Sequence, residues 1–514
     1  MNRVTYIVKV LFLGLVVSAF SVACTDVEEE IFSEVTPDQF FQTEAEFVSA
    51  LGNAYTQLNS IGANGNIFSL QGVTSDEMVV PTRGQDWDDG GHWRRLHTHE
   101  YQWEDPIINN GWTFCYGGIS TCNRLIFQFD ELGVEGAEEF IAELRALRAM
   151  YYYWLVDLYG NVPIVTDFDV PADFAPANNT RQEVYNLVEQ ELMEVMPQLT
   201  QEVGGSAYGR VNYYTAQAIL AKLYLNAEVY TGTTQLDKAL TAVDEIINSG
   251  QYSLAPDYYD NFVVDNQSSP EFIFAIPYDQ VFQQGFNIPM MTLHYGSQAT
   301  YNLTAQPWNG FASLQEFYES YEDSDVRKAN FIVGPQFSAS GERILDNGAE
   351  AGDPDGPPLT FTPEINELGP QAFRQAGVRI GKWEFELGST EDLNNDLALF
   401  RYTDIVLMKA EILFRQGQTG GEALALVNQI RERAGVAPFT ELTEENFLAE
   451  RGREMFAEYT RRSDLIRFGR YNEAWQFKPQ DPSNHVNIFP IPRPQIESNP
   501  NLVQNPGYAG GSGG

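Results

Sequence analysis

Apolar and aromatic residues recur at three- and four-residue spacing between about residues 137 and 158. That spacing places them on one face of an α-helix. The positions are Leu144, Leu147, Tyr151, Trp154, Leu155 and Leu158. Gly160 follows and can take the left-handed conformation that ends helices, and Pro163 blocks continuation. The pattern predicts a helix of about 22 residues, or roughly 33 Å. Its many aromatic side chains require packing partners on several sides, so we expect it to be central.

Two later stretches, residues 210–232 and 401–417, repeat this design by mixing small alanines with bulky leucine and tyrosine before a glycine. Small residues let a neighbouring helix approach closely, as in stacked helical hairpins of the tetratricopeptide type. The distance between the stretches is not constant. The pattern therefore predicts a mainly α protein with an irregular tetratricopeptide-like scaffold.

Start signals mark further helices of this scaffold. Thr36 and Gln39 can form a capping box before an apolar face that continues to Leu58, and Thr180 with Glu183 can form another. The predicted helices, besides those named above, cover about residues 36–58, 106–130, 180–196, 236–248, 422–434 and 444–459, and residues 271–277 are predicted to form a short strand.

Two regions, residues 62–105 and 279–400, have few helix signals. The first is polar and rich in Gly and Trp, and the second is rich in Gly, Pro, Asn and Asp. So long a stretch without structure is unusual inside a compact domain. We expect these regions to form a loop-rich lobe with short strands, lying against helices from residues 36–61, 106–250 and 401–470.

The N-terminus has the features of a targeting segment. Residues 1–23 begin with basic side chains and contain an apolar run too short to span a bilayer. Small residues precede Cys24, as in a bacterial lipobox, and an acidic tether follows in residues 24–35. We expect Cys24 to be lipidated, the alternative being an ordinary signal peptide. The main domain would be residues 36–509, and the Gly-Ser-rich residues 510–514 are predicted to be a flexible tail.

Charge and cysteine content exclude several functions. The 514 residues carry 31 basic and 71 acidic side chains, a net charge of −40, which disfavours nucleic acid as a partner. Cys115 and Cys122 lie seven residues apart in a predicted helix, so their Cα atoms should be roughly 10.5 Å apart. This exceeds the limit of about 7 Å for a disulfide. We therefore expect two buried free thiols and no cysteine metal site.

Residues 83–103 combine aromatic rings with polar side chains, which is the combination that sugar binding requires. Trp87 falls in an Asp- and Gly-rich loop where no helix face would bury it. The predicted sugar-binding residues are Arg83, Asp86, Trp87, Asp88 and Trp93, with Tyr295 and Trp308 from the second loop-rich region. The alternative is that these tryptophans only anchor the lobe, which we expect of Trp103 and Trp112.

Other chemistry in the same segment is less well supported. His92, His97 and His99 lack the spacing of a zinc motif, and residues 86–90 lack the length and ligands of a calcium loop. We expect no metal and no cofactor. Arg83, Arg94 and Arg95 could bind a uronate or sulfate, but pairing with nearby acidic residues is the simpler expectation, so the predicted ligand is a neutral glycan.

Several short motifs lie along nearly the whole chain: the lipobox at Cys24 with its acidic tract and residues 36–43, 144–163, 210–224, 401–411, 431–435, 450–467, 489–492 and 499–508. Taken together and in this order, they resemble the motifs of the SusD/RagB family of outer-membrane glycan-binding lipoproteins. The resemblance implies eight helices in four hairpins, a ligand site on the loop-rich lobe, and no catalysis. It also implies surface exposure through a lipid anchor and a SusC-like TonB-dependent transporter as partner.

Three other interpretations remain. Some members of this family bind peptides, so a peptide ligand is one alternative. A glycoside hydrolase would need two carboxylates roughly 5 Å or 6.5–9.5 Å apart, and among 71 acidic residues such a pair arises by chance. A helical-repeat adaptor would bind peptide on its concave face and would not depend on Trp87. Our preferred ligand is a neutral polysaccharide such as a β-glucan or fructan.

Overall fold

The computed structural model describes residues 44–132, 136–353 and 356–510. Several predicted features lie outside these ranges: the signal peptide, the lipidation of Cys24, the acidic tether, the capping box at Thr36 and the tail after residue 510.

Eight helices of 13 residues or more form the scaffold of the described part of the chain. They are α1 (Glu44–Thr56), α2 (Pro106–Leu132), α3 (Ala137–Leu158), α4 (Arg181–Val195), α5 (Tyr213–Leu225), α6 (Leu236–Asn248), α7 (Tyr402–Arg415) and α8 (Gly421–Arg433). Consecutive helices pack against each other: α2 on α3, α3 on α4, α5 on α6, and α7 on α8. The mainly α, tetratricopeptide-like fold class is confirmed.

The predicted central helix is confirmed as α3, which spans 22 residues and is buried along most of its length. It ends as the sequence indicated: Gly160 has φ of 71°, and its backbone N–H donates to the carbonyl of Leu155 at 3.1 Å. The start of α4 is confirmed too, because Thr180 and Glu183 form a reciprocal capping box.

Parts of the chain outside the helices form short antiparallel strand pairs. The predicted strand at residues 271–277 is β2 (Phe272–Ile276), which pairs with β8 (Leu397–Arg401). The other strands are β1 (Met78–Val79), β3 (Ala312–Ser313), β4 (Phe331–Ile332), β5 (Gly334–Pro335), β6 (Thr360–Phe361) and β7 (Arg379–Ile380). β1 pairs with β3, β4 with β7, and β5 with β6. Because β8 runs straight into α7, that helix begins at Tyr402 and not at residue 401.

One prediction of local structure was wrong and another was incomplete. The helix expected over residues 444–459 ends at Glu454 as α9 (Glu444–Glu454), and the chain resumes a helix in α10 (Arg461–Arg467). Between them Ala457 and Tyr459 have φ of 61° and 63°, which no right-handed helix accommodates. In addition, residues 62–105 contain short helices at Ile67–Gly72 and His92–Thr98, as well as loop.

A cluster of buried charges joins β2, β8, α8 and α9 to residues of the loop-rich region. Its members are Glu271, Arg327, Lys382, Arg401, Arg433, Glu450, Glu454 and Glu458, hereafter the ionic cluster. At its centre the guanidinium of Arg401 lies 2.9 Å from Glu271, 3.0 Å from Glu454 and 2.8 Å from Glu458. Burial opposes ionisation of Glu454, but the guanidiniums of Arg433 and Arg401 outweigh it and lower the pKa of that carboxyl to about 2. Glu454 is therefore ionised at neutral pH.

Cys115 and Cys122 are buried free thiols, as the sequence indicated. Burial raises the pKa of the Cys122 thiol to about 12, which keeps it protonated and unreactive. Within the described ranges, no helix combines the length and the hydrophobicity that crossing a membrane requires.

Replacing Arg401 with methionine should strongly destabilise the fold. The side chain is fully buried, and its removal would leave three carboxylates without their shared cation. Loss of one partner from a buried ion pair typically costs about 3–5 kcal/mol. Urea denaturation followed by circular dichroism measures this change in the free energy of unfolding.

Arg470→Met is the matched control, because Arg470 and its partner Glu473 are 44% and 53% exposed. Exposed pairs contribute about 1 kcal/mol or less. If both variants lost equal stability, the ionic cluster would not have the role assigned to it.

Candidate functional site

A tight turn from Arg83 to Asp86 begins the site. The two residues exchange backbone hydrogen bonds of 2.9 and 3.1 Å, so the loop reverses direction sharply. The guanidinium of Arg83 lies beneath the turn and donates to the carbonyls of Ala376, at 2.7 Å, and Phe373. The turn thereby holds Asp86 exposed and Trp87 half-buried at the surface.

The ring of Trp87 is fixed by its neighbours. Its indole N–H donates to the carbonyl of Trp308 at 2.7 Å, and its ring meets those of Trp93 and Phe311 edge-on, with centroids 5.4 and 5.6 Å away. Edge-to-face contacts add stabilisation beyond area burial. A methyl group on Gly310 would lie 2.3 Å from the Trp87 ring, so only glycine permits this approach.

Trp87 also has an unusual backbone conformation, with φ of 62°. Bulky residues rarely adopt the left-handed region, and such strain is common at functional sites. The indole hydrogen bond to Trp308 and the ring contacts with Trp93 and Phe311 hold the residue in this conformation.

Tyr295 joins this surface through Asp86, to which its hydroxyl donates a hydrogen bond. Burial, followed by the hydrogen bond and the negative charge of Asp86, raises the pKa of Tyr295 to about 12. Hydrogen bonds thus connect Tyr295 to Asp86 and the indole of Trp87 to the backbone of Trp308, and we refer to these four residues as the aromatic platform. The last two come from chain positions more than 200 residues after Trp87.

Arg374 contacts the platform through the ring of Tyr295. Its guanidinium lies 4.9 Å from the centroid of the Tyr295 ring and forms a bidentate pair with Asp346, at 2.9 and 3.1 Å. Burial opposes ionisation of Asp346, yet hydrogen bonds from His294 and Arg374 lower its pKa to about 2. The sequence analysis missed Arg374, Asp346 and Phe311, because no local pattern connects them to Trp87.

Two predicted ligand contacts need correction. Trp93 is only 3% exposed, with its indole N–H donating to Asp89 at 2.8 Å, so its ring packs behind Trp87. Arg83 is 2% exposed and bonds backbone carbonyls, so it shapes the turn and does not reach the surface. Trp112 is buried, as expected, whereas Trp103 is half-buried beside Arg493.

The arginines near the platform are already paired. Arg94 lies 2.8 Å from Asp88, and the Nε atom of Arg95 donates to Asp105 at 3.1 Å. The ion-pair interpretation of these arginines is therefore supported over an anion site. Asp88 remains close to Trp87 in the chain, but its carboxylate is engaged by Arg94.

The three histidines of this segment point to different partners. His92 contacts the carbonyl of Asp89, His97 those of Val73 and Gln476, and His99 the carboxylate of Asp481 at 2.8 Å. Burial lowers the pKa of His99 to about 4, so its ring is neutral at physiological pH. These contacts give each ring a structural role.

One family model, described as the SusD family, matches residues 371–508, and another, described as starch-binding and associating with the outer membrane, matches residues 31–225. The chain belongs to the SusD family, in agreement with the motifs of the sequence.

Individual relatives extend over most of the chain. The starch-binding protein SusD of Bacteroides thetaiotaomicron is 27% identical over 79% of this chain and 80% of its own length. Surface glycan-binding protein A from Bacteroides uniformis superposes with a TM-score of 0.73 at 22% identity, covering 90% of this chain and 99% of its own. The protein of that name from Bacteroides thetaiotaomicron, solved in complex with laminarihexaose, has a TM-score of 0.68 at 25% identity, with coverage of 90% and 99%.

Gly310→Ala should displace the Trp87 ring without unfolding the protein. The added methyl would lie 2.3 Å from that ring, and the half-buried ring can move outward. Near-ultraviolet circular dichroism and tryptophan fluorescence should both change. Gly52→Ala, where the structure leaves nothing within 4 Å, is the control and should leave both spectra unchanged. Identical spectra for Gly310→Ala and the wild type would contradict the packing described.

Proposed function

We propose that this chain is a non-catalytic surface protein that binds a neutral glycan on the aromatic platform. The observation that carries the proposal is the junction of half-buried aromatic rings with the exposed carboxylate of Asp86. Aromatic rings stack on the apolar faces of sugar rings, and carboxylates accept hydrogen bonds from sugar hydroxyls. The relatives described above are named as binding proteins, which supports a role without catalysis.

A neutral ligand fits the electrostatics of the site. Arg94 and Arg95 are paired with acidic residues, and the chain carries a net charge of −40. An anionic glycan would have to displace these pairs against a repulsive field. Among neutral glycans we favour a β-glucan of the laminarin type, since a relative at 25% identity is solved with laminarihexaose.

We further propose that the protein is anchored in the outer membrane through acylated Cys24, faces the outside of the cell, and passes its ligand to a SusC-like TonB-dependent transporter. The small residues before Cys24 and the acidic tract after it support the anchor and the surface location. The description of the matching family model, which mentions association with the outer membrane, is in line with this placement.

Trp87→Ala should abolish or greatly reduce glycan binding. Loss of one stacking ring removes roughly 1.5–3 kcal/mol, which is about tenfold or more in affinity. Affinity electrophoresis of residues 25–509 in gels containing laminarin measures this as lost retardation. Retardation of the wild type should change little with salt, because binding of a neutral ligand is not screened.

Phe174→Ala is the matched control, because Phe174 is an exposed aromatic side chain (45%) outside the platform. Equal retardation of Trp87→Ala and wild type would overturn the site but keep the function. Absence of retardation in laminarin, fructan and starch gels would favour a peptide ligand instead. Release of reducing sugar from laminarin by the wild type would favour the hydrolase.

Cys24→Ser should release the protein from the outer-membrane fraction, because acyl chains would provide its anchor. Immunoblotting of fractionated cells measures this, and purification of detergent-solubilised wild type should recover a TonB-dependent transporter with it. A Cys24→Ser protein that stays membrane-bound would refute the acyl anchor. Recovery of the wild type without any transporter would refute the partnership.

A further inference from the structure

A groove of about 440 Å³ lies where α9 and α10 meet the chain that follows α10. Leu448 and Ala449 of α9 and Leu465 of α10 form apolar parts of its lining, and Trp475 forms another wall. Trp475 is half-buried. The groove therefore presents an aromatic ring beside apolar side chains, and it shares no residue with the aromatic platform.

The ring of Trp475 is rigidly held. The backbone of Trp475 exchanges hydrogen bonds with that of Lys478 at 3.1 and 2.9 Å, forming a tight turn. The ammonium of Lys478 lies 4.2 Å from the ring centroid, and the ring of His99 packs edge-on at 5.2 Å. Gln476 ties the turn to the lobe by accepting the N–H of Gln315 at 2.9 Å. Little conformational entropy would be lost when a ligand contacts a ring fixed in this way.

Core packing alone does not account for an indole at this position. The indole N–H of Trp475 is shielded from solvent and has no hydrogen-bond acceptor within residues 44–132, 136–353 and 356–510. Burying an unpaired donor costs free energy that phenylalanine would avoid while still supplying an aromatic ring. The feature that tryptophan adds is a larger ring surface at the groove.

The polar rim of the groove alternates acids and bases. Arg461 forms a bidentate pair with Asp76 at 2.6 and 2.7 Å, and Arg470 pairs with Glu473 at 2.6 Å. Glu445 is exposed beside them. Each guanidinium is paired with a carboxylate, and Glu445 adds one further negative charge. The rim therefore disfavours binding of sulfate, phosphate or uronate groups. Paired donors and acceptors of this kind suit hydroxyl groups.

We propose that this groove is a second carbohydrate-binding site, which takes a neutral saccharide stacked on Trp475. The inference rests on the proposed function, because it assigns the same class of ligand to a separate surface. The His92–Thr98 helix links the two sites: Trp93 contacts Trp87, and His97, one turn later, lies 6.4 Å from the Trp475 ring. Two sites on one protein raise the avidity for a polymer that reaches both.

Fluorine NMR of protein labelled with 5-fluorotryptophan tests the second site directly. The variants Trp475→Phe and Trp87→Phe each remove one resonance and so assign the two signals. On titration with laminarihexaose, we expect the Trp475 signal to shift saturably in the wild type and also in Trp87→Ala. The signal of Trp383, a buried side chain at 2% exposure, should stay constant as an internal control.

The other outcomes separate the two proposals. A fixed Trp475 signal together with a shifting Trp87 signal would overturn the second site and leave the proposed function intact. A Trp475 shift that disappears in Trp87→Ala would show transmission from the platform, which also overturns a separate site. If neither signal moved, both the β-glucan assignment and the second site would be wrong.

Discussion

The ionic cluster around Arg401 is the constraint on which the rest of the structure depends. Buried charges are stable only when each has its partners, since an uncompensated charge in the interior is strongly unfavourable. Arg401 ends β8 and Arg433 ends α8, while Arg327 and Lys382 come from the loop-rich region. The helices and the loops must therefore assemble together, and neither can shift without separating charges.

This constraint extends to the aromatic platform through buried polar side chains in and next to β7. Lys382 reaches the carbonyl of Phe456 at 2.8 Å, which fixes the end of β7 relative to α9. Arg379 in β7 donates to Asn309 at 3.0 Å, and Asn309 precedes the glycine on which Trp87 packs. The position of the platform is thus determined by buried polar contacts of the lobe. Such a rigid support is what a preorganised binding surface needs.

The scaffold could be predicted from the sequence because helices are encoded locally. The spacing of apolar residues defined α3, and the capping box at Thr180 defined the start of α4. The seven-residue helix at His92 was not predicted, because it is too short for the spacing of its apolar residues to indicate a helix. The end of α9 was missed because Ala457 favours helix by propensity, and its left-handed conformation is imposed by tertiary contacts.

The site was only partly predictable for a related reason. Trp87 and Trp93 lie in the same polar segment, and local sequence gives no means of telling which ring is buried. The difference depends on Gly310 and Phe311, which lie more than 200 residues later. Arg83 was likewise predicted to contact the ligand, but its partners are the backbone carbonyls of Phe373 and Ala376. Every residue has a backbone carbonyl, so the sequence does not indicate which ones will accept a hydrogen bond.

The burial of arginines also bears on the choice of ligand. Five of the largest fully buried side chains are arginines, namely Arg327, Arg379, Arg401, Arg451 and Arg462. Four of them, Arg327, Arg401, Arg451 and Arg462, are paired with buried carboxylates, so they do not offset the excess of 71 acidic over 31 basic residues elsewhere in the chain. Electrostatics can therefore reject polyanions but cannot distinguish one neutral glycan from another as the ligand proposed above. That selection must come from the shape of the aromatic surfaces and from the directions of their hydrogen-bonding groups.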